Sequence, residues 1–82
     1  MKTQNIANVG VILKRRRRII GHTQEEIAIE SGLSQKAVAA AEAWFPGSEG
    51  QAPTLRSIHA ISSGLDRLGA PQLPLGRERG IL

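Results

Sequence analysis

Residues 23–44 read TQEEIAIESGLSQKAVAAAEAW, and this stretch decides the fold. Thr23 suits a helix N-cap, and Glu26, three residues later, can accept a hydrogen bond from the backbone N–H of Thr23, which completes a capping box. Gly32 stands where this helix must end, because glycine adopts the left-handed C-cap conformation without steric cost. Ser34 can cap a second helix. The stretch therefore predicts two short helices joined by a tight turn.

The apolar residues of this stretch have the spacing of two helices that pack together. Ile27 and Ala28 begin the inward face of the first helix, and the small Ala28 lets a second helix come close. Val38 and Ala41, three residues apart, give the second helix its inward face. Two helices joined by a glycine-containing turn are the elements of a helix-turn-helix motif.

Length and composition limit the molecule that this motif belongs to. The chain has 82 residues, which is enough for one small domain and one core. Aromatic residues make up only 2% of the chain, so we expect an aliphatic core of small side chains. The chain has no cysteine and no apolar run near the ~20 residues of a membrane span, and its N-terminus lacks the apolar segment of a signal peptide. These features predict a cytoplasmic protein that does not enter a membrane.

The positive charge is concentrated at one end of the chain. The net charge is +4, but residues 1–22 carry six basic groups and no acid, whereas residues 23–82 carry five basic and seven acidic groups. A basic cluster beside a helix-turn-helix favours a polyanionic partner, most simply the phosphates of double-stranded DNA. The alternative is a solvated helix face without a partner.

A first helix is predicted over residues 5–20, where apolar residues recur at helical spacing. Gly10 weakens this helix by ~1 kcal/mol relative to alanine. The four arginines at 15–18 cannot all face water, because steps of about 100° per residue carry them around the helix axis. Arg17 lies four residues after Leu13 and three before Ile20, so it shares the apolar face. It needs a partner, for which Glu42 is the candidate; alternatively, its side chain reaches outward to solvent.

The second half of the chain predicts a loop, a fourth helix and a tail. Residues 45–53, FPGSEGQAP, break any periodicity. Thr54 is a plausible N-cap for a fourth helix, whose inward apolar stripe consists of Leu55, Ile58, Ile61 and Leu65. The serines and glycine at residues 62–64 are expected to weaken the end of this helix. His59 lies off the stripe and is expected at the surface. We divide the chain into a domain of residues 1–68 and a Pro/Gly-containing tail or extended arm of residues 69–82.

The same residues also carry a family resemblance. They are Leu13, Arg17, residues 23–28, residues 31–34, Val38, Glu42 and residues 53–55. With them, residues 12–65 resemble the Cro/CI-type (phage-repressor-like, XRE) helix-turn-helix family. The resemblance implies an all-α, lambda-repressor-like bundle of four to five helices. Members commonly bind operator DNA as homodimers, with the second motif helix in the major groove, and often pair an arginine of the first helix with a glutamate that ends the third.

Carried over residue by residue, the resemblance implies a DNA-binding surface. Gln24 would bind a phosphate at the start of the second helix, where the helix dipole also favours an anion, and Thr23 would lie beside it. Base edges would be read from the first turn of the recognition helix, by Ser34, Gln35 and Lys36. Ala37 and Ala40 stand where polar readers are common and would offer contact with a thymine methyl. Arg17 and Arg18 complete the expected DNA-binding set.

The chain departs from the family pattern in ways that suggest another function. The recognition helix, QKAVAAAEAW, carries five alanines and few polar readers, and the loop after it carries Glu49 and no basic residue. Trp44 and Phe45 are the only large aromatic residues; Trp44 either covers the core or forms with Phe45 an exposed interface for a protein partner. The first hypothesis is therefore a homodimeric, sequence-specific transcriptional regulator of repressor type that reads operator DNA. The alternative is a helix-turn-helix protein-interaction module that inhibits or partners another protein and binds DNA little.

An enzymatic function has no support in the sequence. No nucleophile–base pair occurs at a suitable spacing, no glycine-rich phosphate loop is present, and the two histidines are isolated. We expect no catalytic residue, no metal site and no cofactor.

Overall fold

The computed structural model describes residues 9–73, and these residues form four helices without a strand. The helices are α1 (Val9–Ile19), α2 (Gln24–Ser31), α3 (Gln35–Ala43) and α4 (Leu55–Arg67). The all-helical class predicted from the sequence is thus confirmed for this part of the chain. Residues 5–8 of the predicted first helix lie outside the described residues.

The α2–α3 connection is built by the caps that the sequence predicts. The backbone N–H of Glu26 donates to the Thr23 hydroxyl over 3.1 Å, and the N–H of Thr23 donates to the Glu26 carboxylate over 2.8 Å. Gly32 ends α2 with φ at 73°, in the left-handed region. The Ser34 hydroxyl then accepts from the N–H of Ala37. These caps confine the connection to three residues and fix the direction of α3 relative to α2.

The core is aliphatic, as the composition predicts. It consists of one face of every helix together with one residue after α4: Val9, Leu13, Ile27, Ala28, Val38, Ala41, Ile61, Leu65 and Ala70. Ile27, Val38, Ile61 and Leu65 have no exposed side-chain surface, and no aromatic side chain belongs to this cluster. Burying four such side chains contributes on the order of 6–12 kcal/mol before the entropy cost of ordering is subtracted.

Two expectations for α4 are wrong. Leu55 is 69% exposed rather than inward-facing, since burial along α4 increases from its first turn towards Ile61 and Leu65. The helix also does not weaken at residues 62–64 but continues to Arg67. Gly64 is buried there against the end of α2, where an added Cβ would lie 2.6 Å from the Ser31 hydroxyl oxygen. A residue that reads as a helix breaker is thus a close-packing residue.

The chain after α4 folds back onto the domain. Gly69 ends the helix with φ at 88°, and the N–H of Ala70 donates to the Leu65 carbonyl over 2.9 Å. Ala70 is buried in the core. The packed unit therefore includes residues placed in the predicted tail; residues 74–82 of that tail lie outside the described residues.

Candidate functional site

Three side chains from three helices meet at the end of α3. Arg17 of α1 donates from Nε and Nη2 to the two carboxylate oxygens of Glu42, over 2.8 and 3.0 Å. Gln24, the first residue of α2, donates from Nε2 to Oε1 of the same carboxylate over 3.0 Å. The Glu42 side chain is only 3% exposed and that of Arg17 13%. The structure thus brings together the two residues that the sequence paired and adds Gln24 to them.

This buried charge is well compensated. The hydrogen bond to Glu42 raises the pKa of Arg17 above its ordinary value, so the guanidinium stays charged. Arg17 also donates from Nη1 to the His22 carbonyl over 2.9 Å, which ties the α1–α2 turn to the same group. A bidentate arginine–carboxylate pair with further hydrogen bonds is the arrangement in which a buried ion pair can be tolerated. The network therefore fixes α1, α2 and α3 relative to one another.

Thr23 and Gln24, the two residues expected beside a phosphate, both have side chains that are hydrogen-bonded within the protein. The Thr23 hydroxyl caps α2, and the Gln24 amide holds Glu42. Glu26 closes the capping box, and its carboxylate also accepts a hydrogen bond from Nδ1 of the His22 ring over 3.0 Å. The backbone hydrogen bond from Thr23, followed by the contact with His22, lowers the pKa of Glu26.

The first turn of α3 presents its side chains to solvent. Gln35 and Lys36 are exposed and have no hydrogen bond to another described side chain, whereas the Ser34 hydroxyl is used by its cap. Ala40 is exposed and Ala37 half-buried. The opposite face of the helix is buried through Val38, Ala41 and Glu42. The residues predicted to contact bases, Gln35 and Lys36, thus lie on the solvent-exposed face of α3, and the opposite face of the helix is packed against the rest of the domain.

The arginine run divides into two inward and two outward side chains. Arg16 and Arg17 turn inward, and Arg15 and Arg18 are exposed, as is Lys14. Neither Lys14, Arg15 nor Arg18 makes an ion pair within residues 9–73. Arg18 is thus free to meet an anion, whereas Arg17 is held by Glu42.

Arg16 is a structural residue that our sequence reasoning missed. Its side chain is 4% exposed and forms an ion pair with Asp66 of α4. It donates from Nε to the Pro71 carbonyl over 2.7 Å and from Nη1 to the Ser62 hydroxyl over 3.1 Å. The signal was present, because Arg16 lies three residues after Leu13 and so also approaches the apolar face.

The two aromatic residues after α3 differ in exposure. Trp44 is half-buried but does not belong to the core cluster, and Phe45 is 55% exposed. Ser48 holds the local turn by donating to the Phe45 carbonyl over 2.6 Å. Phe45 is therefore the member of the predicted pair that is available to a partner.

Two open grooves border α3. The first, of about 610 Å³, lies between α1 and the end of α3, and its lining residues are Val11, Lys14, Arg15, Arg18, Ile19, Glu42 and Ala43. The second, of about 360 Å³, runs between α3 and the start of α4 and is lined mainly by small residues: Ala37, Ala40, Ala41, Gln51, Ala52, Pro53, Thr54 and Ser57. We name them the α1 groove and the alanine groove.

Comparison with known proteins adds no relative. No protein-family model, no curated protein and no solved structure matches the chain.

Within residues 9–73 no group of three acidic or histidine side chains is placed to hold a metal ion. None of the described helices combines the length and the apolar character needed to cross a membrane.

Proposed function

We propose that the protein is a sequence-specific DNA-binding transcriptional regulator in which α2, the turn and α3 form a helix-turn-helix of the lambda-repressor-like kind. The observation that carries the proposal is the free first turn of α3. Gln35 and Lys36 point to solvent from a helix whose other face is buried and whose far end is fixed by the Arg17–Glu42 pair. A reading helix must be held rigidly while its readers remain uncommitted.

In this proposal α3 enters the major groove. The Gln35 amide can form two hydrogen bonds with adenine, and Lys36 can reach the acceptors of guanine, each worth ~1–3 kcal/mol of discrimination. Ala37 and Ala40 would contact thymine methyl groups. Gln24 and Thr23 lie at the start of α2, where backbone N–H groups favour a phosphate, and Arg18 supplies an exposed cation.

The proposed regulator binds as a homodimer. Two copies would place their α3 helices in successive major grooves, ~34 Å apart on one face of the duplex. Because phosphate contacts dominate affinity, binding should weaken steeply as salt rises.

A fluorescence-anisotropy titration tests the proposal. The duplex is the DNA upstream of the protein's own gene, and a scrambled duplex of equal length is the control, each at two salt concentrations. We expect a preference for an operator duplex that survives the higher salt. If the upstream DNA shows no preference, selection from a random duplex library should still yield an enriched sequence. Failure to enrich any sequence would contradict the proposal.

The alternative function is a helix-turn-helix protein-interaction module with little DNA binding. The 55% exposure of Phe45 and the small apolar residues of the alanine groove favour it. This alternative predicts that both duplexes bind equally and only at low salt. It also predicts that Phe45→Ser abolishes binding to the protein partner while leaving the weak DNA affinity unchanged.

A further inference from the structure

The outer face of α1 carries two large aliphatic residues that the fold does not use. Val11 is 53% exposed and Ile19 is 55% exposed, although both belong to a helix whose inner face supplies Val9 and Leu13 to the core. Both line the α1 groove, and Ala43 at the end of α3 adds to its apolar wall. The spacing from Val11 to Ile19 is about two helical turns, or ~12 Å along the axis.

The same groove is positively charged. Lys14, Arg15 and Arg18 line it, and none of them is paired with an acid within residues 9–73. The acidic lining residue, Glu42, is neutralised by Arg17. The groove thus combines uncompensated cations with an exposed aliphatic pair.

Other exposed aliphatic residues lack this setting. Ile29 is 75% exposed and Leu55 69%, but neither lines the α1 groove or the alanine groove. Single exposed aliphatic residues are normal on protein surfaces, whereas a concave site that joins two of them with three cations selects a particular partner.

We propose that the α1 groove binds an acidic amphipathic helix of a protein partner. The apolar stripe of such a helix would cover Val11, Ile19 and Ala43, and its flanking carboxylates would meet Lys14, Arg15 and Arg18. This is the helix-in-groove mode, in which apolar anchors recur at helical spacing. DNA phosphates could neutralise the cations but would leave the aliphatic residues without an apolar contact, so the combination favours protein over nucleic acid. The inference does not rest on the proposed DNA binding. The two sites share Arg18, but the groove otherwise uses the outer face of α1 and not the first turn of α3, and the variants below leave Arg18 unchanged.

The test uses two synthetic peptides of the same composition. The first is a helix of about four turns with leucines along one face and glutamates along its flanks; the second is a scrambled version without an apolar face. Binding of each fluorescently labelled peptide to the full chain is measured by anisotropy, and amide chemical-shift changes locate the site. We expect the amphipathic peptide to bind about tenfold more tightly than the scrambled one, which corresponds to about 1.4 kcal/mol.

Matched variants identify the groove. Val11→Ser combined with Ile19→Ser should weaken binding of the amphipathic peptide about tenfold. Ile29→Ser combined with Leu55→Ser, which removes two even more exposed aliphatic residues elsewhere, should not. Lys14→Glu and Arg15→Glu, each as a single substitution, should weaken binding more than Arg56→Glu, which makes the same change in net charge on α4. All the substituted side chains are exposed, and circular dichroism verifies that each variant folds.

Three results would overturn the proposal. One is the absence of peptide binding, and another is equal binding of both peptides, because charge alone would then account for it. The third is a loss of duplex DNA affinity in the Val11/Ile19 variant as large as its loss of peptide affinity, since the groove would then serve nucleic acid. If the Val11/Ile19 variant loses peptide binding but binds DNA as the parent chain does, the proposed groove is supported. If neither the parent chain nor any variant binds DNA, that result contradicts the proposed regulator and not the peptide-binding groove.

Discussion

Gly10 of α1 lies directly against the backbone of α3 at Ala41. A Cβ added to Gly10 would lie 2.7 Å from the Ala41 carbonyl oxygen and 3.0 Å from that of Glu42. Backbone atoms cannot move aside as a flexible side chain can, so the two helices approach this closely only because residue 10 has no side chain.

Gly10→Ala should therefore destabilise the protein, although alanine is the better helix former. The gain of up to ~1 kcal/mol in helix propensity is opposed by an overpacking cost of about 1–3 kcal/mol, and we expect a net loss of about 1–2 kcal/mol. Urea unfolding followed by circular dichroism measures the change. The control is Ser63→Ala, an exposed position within α4, which should be neutral or slightly stabilising. A more stable Gly10→Ala protein would show that the helices can separate at no cost.

Arg16→Gln should loosen the segment after α4. The Arg16 side chain joins Asp66 of α4 to the Pro71 and Ala70 carbonyls, and glutamine cannot reach all of these groups. Asp66 is 47% exposed and remains solvated when its partner is lost, so we expect a moderate loss of about 1–3 kcal/mol.

Hydrogen exchange distinguishes this local effect from global unfolding. In Arg16→Gln the amide of Ala70, which donates to the Leu65 carbonyl, should exchange faster than the amides within α2. The control is Arg15→Gln, whose side chain is exposed and makes no ion pair within residues 9–73. Equal protection of the Ala70 amide in both variants would contradict the role of Arg16.

The capping box should make stability depend on pH through Glu26. The hydrogen bond from the Thr23 N–H, with the His22 contact, lowers the pKa of Glu26 in the folded state. A carboxyl with a depressed folded-state pKa stabilises the protein above its unfolded-state pKa, and this contribution is lost as pH falls through the folded-state value.

The measurement compares urea midpoints between neutral and acidic pH for the parent chain and Glu26→Ala. The parent chain should lose more stability on acidification than the variant, because the variant has already lost the carboxylate. Glu25→Ala is the control, since Glu25 is exposed, adjacent and outside the capping box. If Glu26→Ala and the parent chain have parallel pH profiles, the carboxylate does not contribute as the geometry indicates.

In the proposed regulator, Gln35 and Arg18 should have separable effects on DNA binding. Gln35→Ala should relax the preference for the operator over a duplex with one altered base pair, by up to ~1–3 kcal/mol, because it removes a base contact. Arg18→Ala should weaken both duplexes alike and reduce the salt dependence by roughly one phosphate contact. Anisotropy titrations measure both effects, and Arg56→Ala, a change at an exposed arginine of α4, is the control. If Gln35→Ala leaves the preference for the operator unchanged, Gln35 does not make the proposed base contact.

The caps were predictable because they depend on residues that are close in sequence. Thr23 and Glu26 are three residues apart, and Gly32 and Ser34 determine their backbone geometry locally, so the ends of α2 and the start of α3 follow from the sequence. The pairing of Arg17 with Glu42 was also accessible, because periodicity places the arginine on the apolar face, where a charge requires a partner.

The errors concern residues whose environment depends on distant parts of the chain. Leu55 continues the apolar stripe of α4 but lies where the helix leaves the core. Gly64 suggests a weak helix end in the sequence, but in the structure it lies inside α4, where the close approach of Ser31 leaves no room for a side chain. Periodicity identifies the apolar side of a helix but not how far the neighbouring helices cover it.

By itself the sequence determined the presence of the four helices, the caps at the ends of α2 and the start of α3, most of the aliphatic inward faces and the concentration of positive charge in α1. Only the tertiary structure decided that Arg16 also became structural, because its partners Ser62, Asp66 and Pro71 lie 46–55 residues away in the chain. It also decided that Lys14, Arg15 and Arg18 remain unpaired within residues 9–73 beside Val11 and Ile19. The physical reason is that capping and periodicity act over one or two helical turns, whereas charge compensation and burial are set by which helices meet.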